Sequence, residues 1–240
     1  MSERQEISDQ HVENMFFTLL GDAIETALLL PGLKAPGTKL RYARFSVLSS
    51  ALAIEAAANS CFERVSFPPA VLKKIERNLG TMDKYDMFSL ELFKNSRFDR
   101  GCLAAQRIED LLAVRNDYVH PKITPRPAVG HNEAVGQVTI YCGTYDHLKI
   151  EKSPRAWTDS TPLLVLKAVD DFLTNYFLEN AKMSPASATE ILIPQMLMSG
   201  RKMPASIDLQ ADILYIDSAR ANLKIPFRFV DNNTALGKPS

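Results

Sequence analysis

The sequence predicts a mainly α-helical protein, and two observations carry that prediction. Apolar side chains recur three and four residues apart through several long segments, which is the period of a helix with one buried face. Proline and glycine lie between these segments, where they favour turns and helix ends. With 240 residues, of which 46% are hydrophobic, the chain is long enough to bury a core without disulfides or a structural metal.

Six segments have the helical pattern. They cover residues 9–30, 39–63, 69–79, 82–94, 99–120 and 160–180. The second segment is rich in alanine from Ala51 to Ala58, which predicts close packing against neighbouring helices. Pro121 ends the fifth segment, because proline disfavours helical geometry in the residue before it.

Residues 121–160 are rich in proline and predict a long loop insertion. Loops of this length are uncommon unless they have a function or a structure of their own. Within it, residues 138–141 have a short β-like pattern, and residues 147–150 are their candidate partner. His131 and His147 are expected to be surface histidines. The alternative is that the loop folds over the preceding helix and brings one of them to its end.

The pattern of apolar residues changes in the last part of the chain. We expect a helical domain over residues 1–182 and a small C-terminal appendage over 183–240. Apolar residues alternate through 207–215 and again through 223–229, which favours short strands. The appendage is therefore predicted to be at least partly β.

Charge and the N-terminal sequence restrict the functional classes. Lys plus Arg and Asp plus Glu number 28 each, so the formal net charge is zero. Proteins that coat nucleic acid usually carry a basic excess, so any nucleic-acid contact here must be local or formed in a dimer cleft. The N-terminus, MSERQEISDQ, lacks the apolar region of a signal peptide. Residues 15–30 are too polar for a membrane span, and we expect a cytoplasmic protein without membrane contact.

The three cysteines do not indicate a metal site or a disulfide framework. Cys61, Cys102 and Cys142 are widely spaced, and no CxxC pair exists. Buried, reduced thiols are the expected state. Cys102 starts a predicted helix, a position that can lower a thiol pKa, but no histidine is evidently paired with it. We predict neither a metal nor another cofactor.

The most chemically specific segment is RNDYVH, from Arg115 to His120, at the end of the fifth helix. An α-helix turns by about 100° per residue, so Asn116 and His120 lie on one face, roughly 40° apart. Arg115 lies about 140° from His120 around the axis and follows the apolar face of the helix. A cation there needs a partner, because an unpaired buried charge is costly.

Glu55 is the predicted partner of Arg115. It lies among small and apolar residues of the second helix, so its carboxylate also needs a partner. Asn59 is one turn further along and is expected to point to the same region. The alternative for Glu55 is a solvated or locally satisfied carboxylate.

This set of residues resembles the HEPN superfamily (higher eukaryotes and prokaryotes nucleotide-binding domains). The resemblance rests on Arg115, the polar Asn116, and His120 after four intervening residues, with Glu55 embedded in an upstream helix. It covers roughly residues 9–180 and implies an up-and-down bundle of four main helices.

The resemblance also implies an activity. Catalytic members are metal-independent endoribonucleases, often with two motifs meeting across a homodimer. Carried over to this chain, His120 is the acid/base at the ribose 2′-hydroxyl, Arg115 is the phosphate ligand, and Asn116 orients them. Imidazole and guanidinium suit these roles, since one titrates near neutral pH and the other matches phosphate geometry. The supporting residues are Glu55, Asn59 and Tyr118.

Two main functional hypotheses follow. The first is a HEPN-like ribonuclease that cleaves RNA, as a toxin with an antitoxin partner or as a defence protein. The second is a non-catalytic, homodimeric HEPN-like module that binds a protein or a nucleotide. The Arg-Asn-His set favours the first, and the neutral charge favours the second. A third hypothesis is an unrelated helical protein in which the motif arises by chance. Its basic residues then only stabilise the helix C-terminus, at the negative end of the dipole.

Overall fold

The computed structural model describes residues 10–12, 14–65, 68, 70–71, 74, 78–93, 98–120, 128–132, 137–140, 143–198, 201–204 and 209–236. Within these ranges the protein is mainly helical, as the sequence predicts. The helices are α1 (Phe16–Leu29), α2 (Pro36–Phe62), α3 (Thr81–Leu92), α4 (Leu103–Val119), α5 (Thr161–Leu173), α6 (Pro185–Leu192), α7 (Gln210–Ser218) and α8 (Asn232–Ala235). The short strands are β1 (Gln10–Val12), β2 (Ala128–Asn132), β3 (Gln137–Ile140), β4 (Gln195–Met198) and β5 (Arg201–Pro204).

The predicted helices correspond to observed ones with shifted ends. The segment at 9–30 becomes helical only at Phe16, whose amide donates to Asn14 Oδ1 at 2.9 Å. α2 begins at Pro36, earlier than predicted, because proline in the first turn has no N–H that would need a partner. More than half of the predicted helix at 69–79 lies outside the described residues.

α2 is the central helix of the protein. It packs against α1, α3, α4, α5 and α6. Its inward side includes small residues with essentially no exposed surface, among them Ala51, Ala53, Ala57 and Ala58. The predicted close packing of this segment is confirmed, because side chains of this size allow helix axes to approach one another.

Buried aromatic residues fill the space between α3 and α5. Tyr85 contacts Phe172 and Tyr176 edge to face, with ring centroids 5.0 and 4.9 Å away. The Tyr85 hydroxyl donates to the Ile54 carbonyl, and the Tyr176 hydroxyl donates to the Tyr85 carbonyl. These bonds satisfy the polar ends of the rings. They link α2 and α3 to the π-helical segment Thr174–Asn180, which continues α5.

The loop after α4 contains a β-hairpin with a different partner from the one predicted. The β-like run at 138–141 corresponds to β3, which pairs antiparallel with β2. The predicted pairing with residues 147–150 is wrong, since those residues form a turn beside an isolated bridge between Thr144 and Glu151.

The two strands predicted from alternation in the C-terminal segment are also wrong. α7 occupies most of the first, and its buried Ile213 and Ile216 are three residues apart, which matches helical spacing. Residues 223–229 keep the predicted alternation of burial, with Phe227 and Phe229 fully buried, but they pair with no strand among the described residues. The strands of this segment are β4 and β5, which form an antiparallel sheet with β1.

The C-terminal segment contributes to the same hydrophobic core as the helices before it. Phe229 meets Phe16 of α1 at a centroid distance of 6.1 Å, and α7 packs against α1. The domain boundary at residue 183 stays a prediction, but the side chains on its two sides are packed together.

By length and composition, α2 is the one helix among the described residues that could cross a membrane. Within the most apolar 18-residue segment of α2, 61% is buried inside the protein. That part of the helix belongs to the core.

Arg220 generates the first prediction, because all five of its N–H donors have acceptors. They bond to the carbonyl oxygens of Pro226, Phe227 and Val230 and to the side chains of Asp217 and Asn232, at 2.8 to 3.1 Å. We expect Arg220→Lys to lower the free energy of unfolding by about 2 kcal/mol, since an ammonium has only three donors. Urea denaturation measures the change.

Arg228→Lys is the matched control. Arg228 has 60% of its side chain exposed and makes a 3.5 Å ion pair with Glu179, so its replacement should have little effect. Equal losses in the two variants would show that the Arg220 bonds do not stabilise the C-terminal segment.

Candidate functional site

The end of α4 carries the predicted motif. Ile108, Leu111 and Val114 are buried and hold the helix against the core. Residues 116–120 are exposed. His120 leaves helical geometry (φ −120°, ψ 65°), while its amide still donates to the Asn116 carbonyl at 2.9 Å. The last turn of α4 therefore projects from the core into solvent.

The ion pair predicted between Arg115 and Glu55 is confirmed. Arg115 Nη2 lies 2.7 Å from Glu55 Oε2, and Nη1 donates to Asn116 Oδ1 at 2.9 Å. The Arg115 and Glu55 side chains are 27% and 32% exposed. Arg115 Nε is buried and has no acceptor among the described residues. The guanidinium is thus oriented by two side chains, while each Nη atom retains a second hydrogen that is not used in these two bonds.

Asn116 and His120 present different groups to solvent. Asn116 uses its side-chain oxygen for Arg115 and its backbone carbonyl for His120. The imidazole of His120 is exposed and makes no side-chain hydrogen bond within the described part of the chain. Tyr118, between them in sequence, has 37% of its surface exposed.

Asn59 has a hydrogen-bond partner of its own, outside the group formed by Glu55, Arg115 and Asn116. Its side-chain oxygen accepts a hydrogen bond of 2.5 Å from Lys84 Nζ of α3. Lys84 is buried, with 7% of its surface exposed, and the sequence analysis did not identify it. Glu55 and Asn59 are four residues apart, so they are neighbours on one face of α2. Lys84 therefore adds a buried positive charge one helical turn from the Glu55–Arg115 pair.

Two acidic residues of α4 hold the segment that follows the hairpin. Asp110 Oδ2 accepts hydrogen bonds from the amides of His147 and Leu148 at 2.8 and 2.9 Å. Asp117 Oδ2 accepts one from the Tyr145 hydroxyl at 2.8 Å. Residues 143–160 are thus bound along α4, and we call them the strap.

Further contacts stabilise the strap internally. The indole of Trp157, which is 6% exposed, donates to the Glu151 carbonyl at 2.7 Å. His147 keeps 40% of its side chain exposed, with Nδ1 3.5 Å from Asp110. The side chain of His131 lies outside the described residues.

The roles of Asp110 and Asp117 were missed in the sequence analysis. The sequence feature that could have indicated these roles is the spacing of Asp110 and Asp117. Seven residues are almost two helical turns, so both carboxylates lie on one face of α4. The sequence gives no indication of which backbone amides or hydroxyl they bind, since those groups are about 30 residues further along the chain.

Within the described residues, the cysteines and the acidic residues supply no second site. Burial raises the pKa of the Cys61 thiol well above its ordinary value, which keeps that thiol protonated. Cys102 precedes the first residue of α4, as predicted, and Cys142 lies outside the described residues. Among the residues that the structure describes, no group of three or more His, Cys, Asp or Glu side chains could hold a metal ion.

A scan against protein-family models and searches among curated proteins and solved structures found no match for this chain. The resemblance to the HEPN superfamily therefore stays a prediction that depends on the residues of the motif.

The strap generates the second prediction. Asp110→Ala removes the acceptor of two backbone amides, and we expect the strap to open more often because those amides then lack a partner. Limited trypsin digestion at Lys149 and Lys152 should accelerate roughly tenfold, in line with a loss of about 1–3 kcal/mol.

Glu109→Ala is the control for strap opening. Glu109 neighbours Asp110 on α4 and has an exposed side chain that lies 4.0 Å from Arg100, so its removal should leave the digestion rate unchanged. Unchanged digestion in Asp110→Ala would contradict the proposed anchoring.

The third prediction concerns the Glu55–Arg115 pair. A double-mutant cycle with Glu55→Gln and Arg115→Met should give a coupling free energy of about 1 kcal/mol, because the bond is short and both side chains are partly buried. The same cycle on the exposed pair Glu179 and Arg228 should give a smaller value. Thermal or urea denaturation of each variant measures both, and equal couplings would sink the idea that burial strengthens the first pair.

Proposed function

We propose that this protein is a metal-independent endoribonuclease with a HEPN-like helical domain. One observation carries the proposal. The guanidinium of Arg115 is fixed between Glu55 and Asn116 at the solvent-exposed end of a helix, about one and a half turns before an exposed histidine. A fixed cation and an exposed acid/base group at one helix end are the two groups that phosphodiester transfer through a 2′-hydroxyl uses.

In the proposed reaction, neutral His120 takes the proton of a ribose 2′-hydroxyl. The 2′-oxygen forms a bond to phosphorus, and the bond from phosphorus to the 5′-oxygen breaks. The departing 5′-oxygen takes up a proton from water, and protonated His120 then returns its proton to the solvent. The products are a 2′,3′-cyclic phosphate and a 5′-hydroxyl end.

Arg115 is proposed to bind the phosphate through its remaining Nη hydrogens. Charge develops on the phosphate oxygens as the 2′-oxygen attacks, and a cation that is already oriented stabilises that charge without reorganisation. Glu55 is the positioning residue for Arg115. The hydrogen bond to Asn116 orients the same guanidinium. Buried Lys84, which donates to Asn59, adds a positive charge inside the protein near this pair.

The strap reduces the repulsion that two acidic residues of α4 would exert on RNA. Asp110 lies before the motif and Asp117 lies within it, and both would repel a phosphate. Both accept hydrogen bonds from the strap, and donors of this kind disperse part of their negative charge. The proposal also includes a cytoplasmic location, a homodimer and an antitoxin or other protein partner.

A second candidate function is a non-catalytic, homodimeric HEPN-like module that binds a protein or a nucleotide. The observation that favours it is apolar surface next to the motif, where Tyr118 and Val119 are 37% and 52% exposed. Exposed apolar side chains that lie together are typical of interaction surfaces.

The fourth prediction separates the two candidates. Wild-type protein should cleave single-stranded RNA in EDTA, and mass spectrometry should find 2′,3′-cyclic phosphate ends. His120→Ala should reduce the rate by about 10²–10⁴-fold, the usual contribution of an acid/base group. Arg115→Ala should reduce it by about 10²–10³-fold, the usual loss when one charge-stabilising donor is removed.

His147→Ala and Arg107→Ala are the matched controls. His147 is a partly exposed histidine of the strap, and Arg107 is an arginine of α4 that pairs with Asp171 of α5. Both variants should cleave at the wild-type rate. Absence of cleavage by the wild type, or equal cleavage by all four variants, would overturn the ribonuclease proposal in favour of the binding module.

A further inference from the structure

The basic residues are unevenly placed in this chain of zero net charge. Residues 26–54 contain no Asp or Glu and four basic residues, Lys34, Lys39, Arg41 and Arg44. Lys39 forms an ion pair with Asp159 at 2.5 Å. Lys34 and Arg41 are exposed, and Arg44 is half-buried. The first turns of α2 and the loop before them thus form a local positive surface.

A groove between α1 and α2 lies on this positive surface. It has a volume of about 410 Å³ and is lined by Glu25, Thr26, Leu29, Arg41, Tyr42 and Phe45. We call it the α1–α2 groove. Phe45 has 51% of its surface exposed and Leu29 has 47%. The groove therefore combines an exposed aromatic ring with a neighbouring cation, the two groups that single-stranded nucleic acids contact through bases and phosphates.

Two arginines near the start of α2 follow the side of the helix that leads to the candidate active site. At about 100° per residue, Arg41 of the groove and Arg44 beside it lie within about 40° of Glu55 around the helix axis, and Phe45 lies about 80° from it. Phe45 lies ten residues before Glu55, or about 15 Å along the axis. At the 3.4 Å spacing of a stacked strand, that distance corresponds to about four nucleotides.

We propose that the α1–α2 groove binds a single-stranded segment of the RNA substrate. A base stacks on Phe45, and phosphates contact Arg41 and Arg44, while the scissile phosphate lies at Arg115. This inference rests on the proposed ribonuclease function for its substrate. It accounts for RNA binding by a chain of zero net charge, because the cations are concentrated where the substrate lies.

The one carboxylate among the groove-lining residues, Glu25, lies close to the Tyr215 hydroxyl of α7 and raises the pKa of that hydroxyl. The flat, exposed ring of Phe45 favours a base over a folded protein surface, because stacking requires only a π face and tolerates any base.

The fifth prediction tests the groove by RNA binding. In the full-length chain with His120→Ala, which keeps RNA intact, Phe45→Ala should weaken binding of a fluorescent 12-nucleotide RNA about tenfold. Arg41→Gln with Arg44→Gln should reduce the slope of log affinity against log salt by about 1.4, which is about 0.7 for each lost phosphate contact. Phe45→Trp should retain affinity, and its added fluorescence should be quenched when a base stacks on it.

Leu214→Ala and Arg228→Gln are the matched controls. Leu214 is 59% exposed on α7, and the side chain of Arg228 is 60% exposed, so neither change should alter RNA binding. Unchanged affinity in Phe45→Ala, or equal losses in Leu214→Ala, would overturn the proposal. A poly-glutamate peptide that binds with the same dependence on Phe45, without RNA binding, would also overturn it and indicate a protein partner.

The two proposals fail in different ways. RNA binding that depends on Phe45, without cleavage by the wild type, would retain the groove and reject the ribonuclease. Cleavage that depends on His120, with wild-type binding and cleavage by the Phe45 and Arg41–Arg44 variants, would retain the ribonuclease and reject the groove.

Discussion

Close packing around α2 is the constraint on which the rest of the structure depends. One helix contacts α1, α3, α4, α5 and α6, and it can do so because alanine and serine occupy much of its buried surface. Small side chains leave room for neighbouring helices, but they bury little apolar area each, so the large apolar groups come from the other helices. The aromatic rings of α3 and α5 supply much of that area. A larger residue in place of Ala53 or Ala57 would therefore have to displace a whole helix.

The same packing places the polar residues of α2 where they meet other elements. Glu55 faces the gap to α4, and Arg115 pairs with it there, while Asn59 faces α3 and meets Lys84. These side chains are costly to leave unpaired near the core. Because the Glu55–Arg115 pair connects α2 with α4, it also restricts the rotation of α4 about its axis. The direction in which Arg115 points is thus set by the core.

The strap has a related effect on the surface around the motif. Asp110 and Asp117 of α4 accept hydrogen bonds from the strap, so part of their negative potential is directed at protein donors. Residues 26–54 contain basic and no acidic residues. Equal totals of 28 basic and 28 acidic residues therefore coexist with a locally positive stretch, and local charge is what a polyanion meets.

The sequence by itself determined the helical class, the approximate helix bounds, the packing role of Ala51 to Ala58, and the pairing of Glu55 with Arg115. Each of these features follows from the spacing of apolar residues within one segment, or from the cost of burying a charge without a partner. Tertiary structure decided the rest. Residues 207–215 alternate with a period of two, but the buried Ile213 and Ile216 lie three residues apart, and the helix α7 that contains them packs against α1. The partner of β3, the lysine behind Asn59, and the amides bound by Asp110 all lie at distant positions in the chain. Which of these groups become partners depends on the surfaces that the packed core brings together, and no local sequence pattern encodes that.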